Sequence, residues 1–173
     1  METSPAPRPL DPLVKTALTI CIGLIVITLI GMILTAPDRS IPPYSVVAQY
    51  GEVVTVSVPP RTTDAEVEAL LVRFQAVGRE DRSRFGRLKI KPTTPEDPAG
   101  RYQRVTIYVF DNLGLAEEPV LRDYLVGADL AAKGSFERGV RGVYRVTPET
   151  EFGALGFVHN PRVLFQGKVG AGR

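Results

Sequence analysis

Tryptophan is missing from this sequence, and cysteine and histidine each occur once, as Cys21 and His159. One cysteine excludes an intramolecular disulfide, and one Cys with one His cannot build the clusters that hold structural zinc. A Ser-His-acid arrangement would depend on His159, yet no GxSxG elbow accompanies any serine. His159 stands beside Asn160-Pro161, the composition of a surface turn. HExxH, P-loop and GxGxxG patterns are absent too. Gly134, Gly139 and Gly142 are spaced as turns and strand bends, not as a phosphate cradle.

A charge excess of one sign is also lacking. There are 21 basic and 19 acidic residues, a net charge of +2, too weak a field to make nucleic acid the main partner. Glu96-Asp97 and Glu117-Glu118 read as loop charges, and no acidic run offers the oxygen spacing of a calcium site. Asp111 and Asn112 are the best-placed polar pair, because ligand sites gather at strand ends; the same two residues also suit an Asx turn. Together these absences predict a protein that is not an enzyme and has no cofactor and no metal.

What is present begins with a long apolar run. Residues 16–36 (TALTICIGLIVITLIGMILTA) carry no charge. As a helix they would reach about 31 Å, enough for a hydrocarbon core, and a helix satisfies its own backbone in lipid. The apolar part of a cleaved signal peptide is shorter, so the run predicts a retained signal anchor. Arg8 and Lys15 precede it and Arg39 alone follows closely. This bias places the tail 1–15 in the cytoplasm and the rest outside, in the periplasm. Ala17, Cys21, Leu24, Thr28, Gly31 and Thr35 recur at four- and three-residue steps. All but Leu24 are small, the residues through which membrane helices approach one another, and they are the expected helix-packing face.

Residues 37–43 (PDRSIPP) read as a stiff linker, and residues 44–166 as one soluble domain. Hydrophobic residues make up 44% of the chain, and roughly 130 residues remain beyond the apolar run, enough for a core without disulfides. A β-rich run over 45–50 and a turn at Gly51-Glu52 lead to Val54, Val56 and Val58, which alternate with Thr55 and Ser57 as in a half-buried strand. Thr63 and Glu66 have capping-box spacing. Val67, Leu70, Leu71, Phe74 and Val77 follow at helical intervals, with Gly78 as the stop. Residues 92–100 are loop. Residues 105–110 (VTIYVF) are apolar on both faces, as in a central strand. A short helix near Pro119 turns Leu121, Tyr124 and Leu125 inward. Residues 139–147 form a strand near an edge, where Arg141 and Arg145 discourage aggregation; residues 152–158 form another. Residues 167–173 are a fraying tail.

The expected architecture is α+β: one N-terminal transmembrane helix, then a small sandwich of helices on a mostly antiparallel sheet. The expected function is that of a non-catalytic accessory subunit of a larger membrane complex. An energy-converting one is a natural setting, such as a photosynthetic reaction centre with its antenna or a respiratory assembly. Its partners would be other transmembrane subunits and the bilayer. The alternative is a free-standing envelope binding module. For either, Arg79, Arg82, Arg84, Arg87, Lys89 and Lys91 form a basic stretch suited to an acidic partner or lipid.

Overall fold

The computed structural model describes residues 12–35, 41–98, 100–156 and 160–169. The chain divides into two compact units, Met1–Asp38 and Arg39–Arg173.

The first unit holds α1 (Pro12–Thr35), a helix of 24 residues that starts on a proline, whose missing N–H is harmless in a first turn. Thr28 Oγ1 donates to the Leu24 carbonyl at 2.8 Å, so this hydroxyl is satisfied within its own helix. From Leu18 to Met32 every side chain is exposed. Among the described residues no helix is long and apolar enough to cross a membrane.

The second unit is α+β, built on a six-stranded mixed sheet in sequential order. β1 (Ser45–Tyr50) and β2 (Val53–Ser57) form a hairpin in which Tyr50 pairs with Val53 across Gly51-Glu52. A two-residue turn of this kind needs positive φ, and Gly51 supplies φ 58°. Pro59-Pro60 ends the strand direction, and α2 (Asp64–Glu80) begins. Its cap is reciprocal: Glu66 N–H donates to Thr63 Oγ1 at 3.3 Å, and Thr63 N–H donates to Glu66 Oε2 at 2.7 Å. Val67, Leu70, Leu71, Phe74 and Val77 are all buried, worth on the order of 10 kcal/mol as an upper estimate.

A 3₁₀ segment (Arg82–Leu88) and a long loop lead back to β3 (Val105–Phe110), which lies parallel to β2 with Val53 opposite Thr106. All six β3 residues are buried, as a central strand requires. Three helices follow: α3 (Leu113–Ala116), α4 (Glu118–Val126) and α5 (Leu130–Gly139). β4 (Val140–Val146), β5 (Thr150–Leu155) and β6 (Arg162–Lys168) then add in turn, each antiparallel to the strand before it. Only the β2–β3 pair is parallel, so the sheet is mostly antiparallel.

Helices cover both faces. α2 packs with Val54, Val56, Ile107, Val109 and Tyr144 in one core. The helices after β3 pack with Tyr108, Phe110 and Val143 in the other, where Tyr124 stacks on Phe136 with ring centroids 4.1 Å apart. These two cores correct four expectations. β2 is not half-buried: Thr55 is as buried as Val54 because α3 covers its side, and its hydroxyl donates to the Ala116 carbonyl at 2.5 Å. The strand at 140–146 is not near an edge, since β5 and then β6 extend the sheet beyond it. Gly78 does not stop α2 but lies inside it, buried, where a Cβ would run into the Tyr144 hydroxyl. Gly134 is not in a turn; it lies within α5. The expected strand over 152–158 begins two residues earlier, at Thr150, and residues 157–159, His159 included, lie outside the described residues.

Candidate functional site

Of the six residues on the expected helix-packing face, Cys21, Leu24, Thr28 and Gly31 have exposed side chains or Cα positions, at the predicted spacing along α1. The side chains of Ala17 and Thr35 lie outside the described residues. Among the described residues, a Cβ placed on Gly31 would meet nothing within 4 Å.

The basic stretch is not one surface. Its first three arginines are committed to the fold. Arg79 Nε donates to Glu151 Oε1 at 2.8 Å, and its Nη2 reaches the same oxygen. Glu151 is buried on β5, and Gln75 Nε2 adds a bond to it at 3.1 Å. The bonds from Glu151 hold the Arg79 guanidinium above its ordinary pKa. Arg82 ties three segments together by donating to the carbonyls of Gly78, Gln103 and Thr147. Arg84 pairs with Glu80 at 2.8 Å on the helix surface. All three are bonded within the chain, Arg79 to a residue 72 positions away.

Arg87, Lys89 and Lys91 remain exposed. Two of them line a cleft of about 240 Å³ whose other walls are Tyr44, Ser45, Val46 and Leu88. The segment that presents them is pinned on both sides. Phe85 and Ile90 are buried, with Ile90 N–H donating to the Phe85 carbonyl at 3.2 Å. Lys89 caps the 3₁₀ turn with φ 64°, ψ 17°, the only non-glycine residue in the left-handed region among the described residues. Such a conformation is costly for a lysine and common for glycine. Gln49 then clamps the segment beyond: its Oε1 accepts from Lys91 N–H at 2.9 Å and its Nε2 donates to the Lys91 carbonyl at 3.0 Å. Tyr44 is half-buried against Phe74, with ring centroids 5.7 Å apart. Burial pushes its hydroxyl pKa up, and the nearby Arg73 charge pulls it part of the way back.

The strand-end polar pair has another fate. Asn112 Oδ1 accepts from Gly114 N–H at 3.0 Å, an Asx turn that caps α3. Asp111 instead binds Arg141 at 2.5 Å, and Arg141 also reaches Asp64 at 2.7 Å and the Thr62 carbonyl at 3.3 Å. The bond to Asp64, then those to Asp111, keep this arginine firmly charged. The triad fastens the start of α2 to the ends of β3 and β4, so Asp111 holds the fold rather than facing a ligand.

A larger, shallower groove of about 650 Å³ runs along the 93–98 loop, between Glu52 and Arg104. No group of three or more His, Cys, Asp or Glu able to hold a metal occurs among the described residues. Sequence reasoning missed the buried roles of Glu151 and Tyr144 in the sheet. Among the described residues, Tyr144 Oη and Glu151 Oε2 are buried without a hydrogen-bond partner. Burial holds the Tyr144 hydroxyl far above its ordinary pKa, which disfavours its use as an acid. Comparison with protein-family models, with curated proteins and with solved structures finds no match.

Proposed function

We propose that the chain is a membrane-anchored, non-catalytic accessory subunit of a larger membrane complex, with residues 1–15 in the cytoplasm and the α+β unit in the periplasm. One observation carries the reading: the apolar surface of α1. Ile20, Ile22, Leu24, Ile25, Val26, Ile27, Leu29, Ile30 and Met32 are all exposed, with apolar side chains on every side of the helix. Such a helix has no wet face and needs lipid or another helix around it. The helix as a whole has 24 residues, about 36 Å. Small residues at Cys21, Thr28 and Gly31 leave room for the backbone of a neighbouring helix. The α+β unit supports the non-catalytic part, because its charged groups at Glu151 and Arg141 are engaged in ion pairs within the fold.

Extraction and mass measurement test this. Alkaline carbonate should leave the chain in the membrane fraction, and mild detergent should release a particle heavier than one chain. Gly31→Leu should deplete the heavier particle, whereas Ile27→Leu should leave it unchanged because lipid accepts either aliphatic chain. Release by carbonate, or a lone chain in every mild detergent, refutes the proposal.

A further inference from the structure

We infer that the cleft between Tyr44 and the 87–89 turn is a binding site for a phosphate group. Two cations, Arg87 and Lys89, line it, and a third, Arg73 on α2, acts electrostatically on Tyr44 in its wall. None of the three has a salt-bridge partner among the described residues. Among the described residues no carboxylate lines the cleft, and Asp81, which interacts electrostatically with Arg87, is bonded to Ser83. The donors are of the right kinds: a guanidinium fork, an ammonium, and the hydroxyls of Tyr44 and Ser45, all able to meet tetrahedral oxygens.

Size points the same way. A cleft of about 240 Å³ is smaller than the roughly 300–1,000 Å³ of cofactor and drug-sized sites, and suits a compact anion. Rigidity is the remaining argument. Exposed lysines normally sit on relaxed backbone, yet Lys89 occupies the left-handed region between two core residues, Phe85 and Ile90. Strain held in place by surrounding structure is a mark of functional positions. The Gln49 clamp on Lys91 fixes the exit of the same turn. The three earlier arginines of the basic stretch lack these features. This site stands independently of whether α1 spans a bilayer. The phosphate could be carried by a lipid headgroup or be free in solution.

The full chain in zwitterionic detergent micelles, ¹⁵N-labelled, tests both sources. One arm adds inorganic phosphate; the other adds short-chain phosphatidic acid to the micelles. Saturable amide shifts at Ser45, Arg87 and Lys89 are expected in at least one arm. A response to phosphatidic acid alone assigns a lipid headgroup, and a response to both assigns the phosphate group itself. Arg87→Gln and Lys89→Gly should each weaken binding about tenfold or more, the worth of one charge-assisted bond. Lys89→Gly also relieves the left-handed backbone, so loss of binding there cannot be blamed on misfolding. Arg84→Gln, whose charge is met by Glu80, should bind as the parent does. Absence of saturable shifts in both arms, or an equal loss in Arg84→Gln, overturns the inference.

Discussion

Replacing Gly78 by alanine should destabilise the protein, although the same change in an ordinary helix interior stabilises by about 0.5–1 kcal/mol. The reason is Tyr144. A Cβ on Gly78 would overlap the tyrosine hydroxyl, with the Phe85 ring 3.8 Å away. The tyrosine ring has little room to yield. Phe74, Phe85 and Phe165 crowd it with ring centroids 6.3, 6.4 and 6.2 Å away. Overpacking of this kind costs about 1–3 kcal/mol. Offset by the propensity gain, the net loss is about 1–2 kcal/mol, a fall in Tm on the order of 5 °C for a domain of this size. Tyr144→Phe removes the obstructing oxygen. That oxygen has no hydrogen-bond partner among the described residues, so the change alone should be neutral or stabilising by up to about 1 kcal/mol. In the Tyr144→Phe background, Gly78→Ala should regain its helical benefit, giving a coupling of about 2 kcal/mol across the cycle. Urea and thermal unfolding followed by circular dichroism on the four proteins measures every term. A stabilised Gly78→Ala single variant, or an undiminished penalty beside phenylalanine, refutes the packing argument.

Arg79→Ala should cost about 1–3 kcal/mol, since it leaves the buried Glu151 with Gln75 as its remaining donor. Breaking a fully buried pair costs more, but Arg79 is 59% exposed and water can take its place. Adding Glu151→Met should restore most of the loss in a urea titration; a double variant as unstable as the single refutes the account. A pH dependence follows from the tyrosines. Burial raises the pKa of Tyr44, Tyr102, Tyr124 and Tyr144 above the ordinary value. A raised folded pKa means a contribution fully present below the unfolded value of about 10 and lost as pH climbs through the folded values. Tyrosinate absorbance from these residues should therefore rise together with loss of helical dichroism. Full ionisation of all six tyrosines near pH 10 with the dichroism intact would contradict this.

The parts of the fold that were legible in the sequence are those whose causes are local. The capping box at Thr63 and Glu66 and the apolar stripe from Val67 to Val77 lie within one helix, and both are present as read. The uniform apolarity of 105–110 marks β3 without knowledge of its neighbours. Where the cause is distant, the pattern misleads. Thr55 looks like an outward position, but Ala116, 61 residues later, covers it. α5 escapes notice because it contains two glycines and buries fully only Phe136. β6 is mostly exposed or half-exposed and lacks clean alternation. The basic stretch shows the same limit: nothing near Arg79 announces Glu151, 72 positions later. The cleft joins Tyr44 to Lys89, a meeting that only the tertiary fold creates.

The single parallel pairing also sets an order of events at the ribosome. β3 to β6 each pair with the strand made just before them, so that half of the sheet can assemble as it emerges. β2 must wait for β3, with Val53 meeting Thr106 and Ser57 meeting Phe110. At cellular synthesis rates the intervening fifty or so residues take roughly 3–10 s. For that interval β2 offers an open, valine-rich edge. Chaperones would meet the chain in this state, and its N-terminal hairpin is the part most in need of shielding.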